Sequence, residues 1–143
     1  MAADAHSKKL RILVFGNPLV KEDSLPLELL PDLQKEFPSI EFVEFDAAED
    51  LEKEVRDGGL LIIDAVKGPG KVALITDIDS IAENKIYTMH DFDLGLTLKL
   101  LKKMGMLESV KIFGVPTGYG KRKAMKELKE LLAEETGCSP KSI

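Results

Sequence analysis

The chain has 143 residues, of which 44% are hydrophobic and 31% charged, and a formal net charge of −5. That is enough for one domain with a real core, and the acidic balance argues against nucleic acid as a partner. A single cysteine, Cys138, rules out an internal disulfide or a multi-cysteine zinc site, and no apolar run approaches the roughly 18–20 residues that span a bilayer.

Residues 1–9 are polar and lack the apolar core of a signal peptide. They are expected to form a disordered tail on a single domain covering residues 1–143, in a cytoplasmic protein. The run from Leu10 to Phe15 reads as a strand, ended by the turn chemistry of Gly16-Asn17-Pro18. Leu25, Leu29, Leu30 and Leu33 fall on one face of a helix expected from Leu25 to Phe37, with Pro26 suited to its first turn and Pro31 predicting a kink. Ile40 to Phe45 alternates as a strand nearer a sheet edge, and Ala48 to Arg56 reads as a short acidic helix.

Gly58-Gly59 opens the run Leu60-Leu61-Ile62-Ile63, whose unbroken apolar character predicts burial on both faces. Lys71 to Thr76 reads as a strand with an antiparallel partner, because the turn Gly68-Pro69-Gly70 is too short for a parallel return. Asp93 to Met104 is a helix stopped by Gly105, Val110 to Val115 the last strand, and Lys121 to Glu135 the terminal helix. Strands alternating with helices predict an α/β three-layer sandwich: a twisted, mostly parallel sheet with one antiparallel strand and helices on both faces.

Three metal-ligating side chains, Asp23, Asp64 and His90, lie in or just beyond short apolar runs. If those runs are neighbouring parallel strands, their carboxyl ends share one rim of the sheet, where open α/β folds bind ligands. Two carboxylates and an imidazole converging there would hold a divalent ion of borderline softness. Each residue also has a plainer use: Asp23 as a helix N-cap, Asp64 as a turn former or cap, His90 as a structural histidine at a strand end. Asp91 and Asn17 are candidates to orient the ligands, as metal-bound histidine usually requires, whereas Asp93 reads as the cap of the next helix.

The segment from Gly114 to Lys121 is not a phosphate loop: one residue too many separates Gly114 from Gly120, and Arg122 stands where Ser or Thr is required. An anion site at the following helix start remains open, with Lys121 and Arg122 as its cations; a solvated basic helix start is the plainer alternative. Lys99, Lys102 and Lys103 read as the wet face of a helix. No Gly-x-Ser-x-Gly elbow is present, and Cys138 has no histidine near it in sequence.

Gly16-Asn17-Pro18-Leu19 followed by Glu22-Asp23, then Ile63-Asp64-Ala65, then Met89-His90-Asp91, resembles the hydrogenase maturation endopeptidases. The resemblance runs from about Leu10 to Pro116. It implies a nickel-dependent endopeptidase that removes the C-terminal extension of a nickel-iron hydrogenase large-subunit precursor. Asp23, Asp64 and His90 would be the ligands of Ni²⁺, which the substrate can supply and for which Zn²⁺ or Cd²⁺ can substitute. The implied partner is the large-subunit precursor, with no nucleic acid and no membrane. One departure stands out: the family places glycines after the first acid, as in D-D-G-x-G, whereas this chain has Ser24-Leu25-Pro26. Because only glycine readily takes positive φ, the loop around Asp23 is expected to differ in shape. The competing expectation is a non-catalytic α/β module that binds a partner or an anion.

Overall fold

The apolar runs of the sequence pair as strands of one sheet. A computed structural model describes residues 9–16, 24–45, 50–67, 69–78, 87–88 and 94–141, the pair 87–88 by its backbone alone. In chain order the elements are β1 (Leu10–Phe15), α1 (Leu25–Glu36), β2 (Ile40–Phe45), a 3-10 turn (Leu51–Glu54), β3 (Gly59–Lys67), β4 (Ala73–Ile75), β5 (Tyr87–Thr88), α2 (Leu94–Lys103), β6 (Ser109–Pro116) and α3 (Lys121–Thr136). The strands lie in the order β2-β1-β3-β6-β4, with β5 against β3. β1 is parallel to β2 and β3, and β3 to β6; β4 is antiparallel to β6 and β5 to β3. The expected α/β class holds.

Two pairings differ from the sequence expectation in detail. The antiparallel partner of β4 is the later strand β6, not the strand before the short turn. β6 is buried along nearly its whole length and so takes the interior place beside β3, leaving the half-buried β4 at the edge. The run that precedes His90 is not a parallel neighbour: its described part, β5, is antiparallel to the end of β3. β3 outlasts β1, and β5 covers the edge that β1 leaves open.

The helices follow the predicted periodicity, apart from two changes. α1 continues through Pro31, which lies on the exposed side and leaves the Leu27 carbonyl without its intrahelical donor. The acidic helix reduces to the 3-10 turn, whose Asp50 carboxylate accepts from the Glu52 N–H at 3.3 Å; residues 46–49 lie outside the described ones. Asp57 and Gly58, with φ of +52° and +75°, then turn the chain so that Arg56 and Gly59 exchange backbone hydrogen bonds of 3.0 and 2.9 Å. Two successive positive φ values suit Asp-Gly, and β3 starts at the next residue. Among the described residues no helix is long and apolar enough to cross a membrane; residues 1–8, expected as a tail, lie outside them.

Alternation along the strands sorts the core into two layers. Leu13 and Phe15 of β1, Leu60, Ile62 and Val66 of β3, and Val110 and Ile112 of β6 face Leu94, Leu98 and Leu101 of α2. Ile12, Val14, Ile63, Phe113 and Val115 face Leu25, Leu29 and Leu33 of α1 and Ala124, Leu128 and Leu132 of α3. The sheet is therefore covered by α2 on one side and by α1 and α3 on the other.

A polar clasp ties α3 to the start of β4. The Glu127 carboxylate accepts from the Val72 N–H at 3.0 Å and from the Tyr119 hydroxyl at 2.9 and 3.0 Å, while Lys123 sits 4.9 Å above the Tyr119 ring. The Val72 N–H, then the Tyr119 hydroxyl and the charges of Lys123 and Lys71, hold the Glu127 carboxyl below its usual 4.5. A depressed folded value adds stability above the unfolded value that is lost as pH falls through the folded one. Urea midpoints measured from neutral pH down through the acid range should therefore fall below pH 4.5, and Glu127→Gln should flatten that decline.

Candidate functional site

Among the described residues two buried side chains are polar or charged: Asp64, with no solvent exposure, and Ser24, at 9%. Both bear on the predicted site, since Ser24 directly follows Asp23. A buried carboxylate is stable only when protonated, hydrogen-bonded or held against positive charge. Asp64 is thus the most demanding group in the described core.

Asp64 does not end its strand, as the sequence suggested; β3 runs on to Lys67. It marks a change of neighbour instead. Val14 of β1 pairs with Ile63, which sets Phe15, the last residue of β1, level with Asp64. The pairing with β5 begins at Val66. Asp64 and Ala65 therefore sit where β1 gives way to β5 along one edge of β3. Alternation between Ile62 and Val66 turns the carboxylate toward the α2 side of the sheet. Its flanks there are Phe15, stacked on Phe45 at 5.2 Å, and Gly114, its register partner on β6.

Gly114 is the site residue that the sequence reading missed; a glycine inside a strand pattern was its signal. A Cβ at Gly114 would lie 2.8 Å from Val66 Cγ2 and 2.9 Å from Ile75 Cδ1. The missing side chain lets Val66 and Ile75 close over the sheet beside Asp64.

Of the other predicted residues, Asp23, His90, Asn17 and Asp91 lie outside the described ones. Their nearest described neighbours still constrain the alternatives. The first intrahelical bond of α1 runs from the Glu28 N–H to the Ser24 carbonyl at 3.0 Å, so the cap position falls on Ser24, one residue after Asp23. The Ser24 hydroxyl donates to Glu28 Oε2 at 2.9 Å. Ser24 has φ of −91° and α1 begins immediately after it. The residues standing where the family has glycines are thus the start of a helix with ordinary dihedrals. Lys121 and Arg122 open α3 beyond the carboxyl end of β6 and are exposed. They border a shallow basin with Asp32, Lys126 and Lys129, on the face opposite the Asp64 side chain. Among the described residues no three His, Cys, Asp or Glu side chains come together.

A cavity of about 210 Å³ opens at the amino ends of β1, β3 and β6, the rim opposite the carboxyl ends. Its central cation is already engaged: Arg11 binds Glu54 at 2.8 Å and Glu41 at 3.4 Å.

The hydrogenase maturation protease family model (HycI) matches residues 47–135, more than half of the chain and including Asp64, His90 and Asp91. The chain belongs to the hydrogenase maturation proteases and is a peptidase of that family. The fold is similar to that of the hydrogenase maturating endopeptidase HybD from E. coli, with a TM-score of 0.61 and 19% identity over 93% of this chain and 99% of that one. It is also similar to the NiFe hydrogenase maturation protease HybD from Thermococcus kodakarensis, with a TM-score of 0.65 and 21% identity over 90% and 99%. A third similar structure is the hydrogenase 3 maturation protease, with a TM-score of 0.55 and 21% identity over 87% of each chain. No curated protein matches the sequence significantly.

The close packing at Gly114 gives a direct test. Gly114→Ala should destabilise the protein by about 1–3 kcal/mol through overpacking, read from urea unfolding. Val66→Ala in the same chain should recover part of that loss by removing the methyl group that the new Cβ meets.

Proposed function

We propose that this protein removes the C-terminal extension from the precursor of a nickel-iron hydrogenase large subunit, in the cytoplasm, and that Asp23, Asp64 and His90 grip the nickel carried by that precursor. The observation that carries the proposal is the placement of Asp64: a carboxylate with no exposure, at the point where β1 gives way to β5. Chain connectivity supports the reading for the other two groups. His90 follows Thr88 by two residues, and Thr88 pairs with Val66. An extended chain spans at most about 3.6 Å per residue, so the His90 Cα is bound within about 7 Å of that of Thr88. Four residues later Leu94 is buried in the same layer as Ile62 and Val66, the layer toward which Asp64 points. Asp23 directly precedes Ser24, the buried cap residue of α1.

The donor set supports the assignment. Two carboxylates and an imidazole suit Ni²⁺, Zn²⁺ or Cd²⁺, and positive charge is what a buried Asp64 calls for. Three protein ligands leave coordination positions for groups of the precursor. In this reading Asp64 is held rigidly by the sheet, while Asp23 and His90 come shortly before α1 and α2 in the chain. Asp91 and Asn17 would orient the ligands. The metal site thus checks that the precursor is loaded before its tail is cut.

The experiment is cleavage of a nickel-loaded large-subunit precursor, followed by mass spectrometry of its C-terminus. Asp64→Asn and His90→Ala should each lower kcat/KM by roughly 100-fold or more, about 2.7 kcal/mol at the barrier, with circular dichroism unchanged. An intact precursor after incubation with the wild-type protein would favour the non-catalytic binding module. Asp23→Ala separates capping from ligation: with the cap at Ser24, unfolding free energy should change by less than the ~1 kcal/mol of a lost cap, while calorimetric Cd²⁺ affinity falls.

A further inference from the structure

α2 uses only one of its two apolar faces to build the core. Leu94, Leu98 and Leu101 are buried against the sheet, whereas Leu96, Leu100 and Met104 are 52%, 51% and 64% exposed. Spaced four residues apart, these three form a continuous stripe along the outside of the helix. With Leu10 and Met106 they are the exposed large hydrophobic residues among those described, so exposed apolar surface is concentrated on this helix. A groove of about 550 Å³ runs beside the stripe, bounded on its far side by Thr76, Asp77 and Ile78.

Asp77 lies across the groove, but the charges on α2 beside the stripe are all positive. Lys99, Lys102 and Lys103 edge it, and no Asp or Glu occurs from Leu94 to Leu107, in a chain whose net charge is −5. A second copy set against the same stripe would bring these lysines against one another, at a repulsive cost. The chemistry fits an apolar ridge edged by carboxylates. The position fits the proposed substrate: Leu94, the first residue of α2, is buried with Ile62 and Val66, which flank Asp64 along β3. A protein whose tail reaches Asp64 on this side of the sheet has α2 beside it.

We infer that the Leu96–Leu100–Met104 stripe with its lysine border is the docking surface for the folded body of the precursor, through an acid-edged apolar patch on that partner. The inference rests on the proposed function for the identity of the partner, and it assigns binding and cleavage to separate residues. Docking supplies affinity from a distance, so its loss raises KM and spares kcat.

The test measures binding and cleavage in parallel, with the cognate large-subunit precursor as probe. Leu100→Glu/Met104→Glu and Lys102→Glu/Lys103→Glu should each weaken binding by about tenfold or more, raise KM in proportion and leave kcat unchanged. Calorimetric Cd²⁺ affinity, which reads the proposed metal site alone, should be unaffected. Raising salt from about 50 to about 300 mM should weaken wild-type binding and have less effect on the lysine variant. Unchanged precursor binding by both folded variants overturns the docking assignment and leaves the protease reading standing. Wild-type protein that binds precursor through α2 without cutting it overturns the protease reading and supports docking. A wild-type dimer that dissociates in the Leu100/Met104 variant overturns it in favour of a second copy. Absence of both binding and cleavage overturns both.

Discussion

Taking a carboxylate out of water costs more than any single apolar contact in a core of this size returns, and β3 takes Asp64 fully out of water. The strand around it, Leu60 to Val66, is otherwise apolar and would pack with a branched aliphatic residue in its place. Its presence fixes the register of the sheet. A slip of one residue would swing Asp64 from the α2 layer into the layer shared by α1 and α3. It also fits the small and flat neighbours at its level, Gly114 on β6 and Phe15 at the end of β1.

Most elements were legible in the sequence because their periodicity is strong: Leu25, Leu29 and Leu33 marked the inner face of α1, and the apolar runs marked the interior strands. Asp64 misled for a physical reason. A charge inside an apolar run reads as the end of a strand, since buried charges are rare, yet the strand continues through Ala65 and Val66. The pairing of β4 with β6 joins segments far apart in the chain, and nothing local encodes it. The direction of β5 rests on two residues, too few for any pattern. Family membership was legible through the segments around Asp64 and His90, and the family model covers both. The convergence of Asp23 and His90 on Asp64 was legible only as an expectation, because both lie outside the described residues.

The two rims of the sheet differ in how they handle charge. At the amino ends, Arg11 pairs with Glu41 and Glu54, so that cation of the cavity wall is already answered. Opposite charges in contact leave little field for a ligand. At the level of Asp64 a buried acid faces the α2 side of the sheet, while the basic residues opening α3 occupy the other side. That separation keeps Lys121 and Arg122 away from Asp64.

α2 connects the two proposals mechanically. Its inner face, through Leu94 and Leu98, packs on the residues that flank Asp64; its outer face carries the exposed stripe. Close-packed side chains transmit displacement with little compliance, so a partner seated on Leu100 and Met104 would bear on the helix whose inner face shares a buried layer with Ile62 and Val66. The segment carrying His90 leads directly into that helix. Under the two proposals, one rigid element would both receive the partner and close the site, tying recognition of the precursor body to the geometry around its metal. It also explains why a helix with enough apolar residues for its core contact keeps a second apolar face in water. That face costs solubility and stays exposed among the described residues.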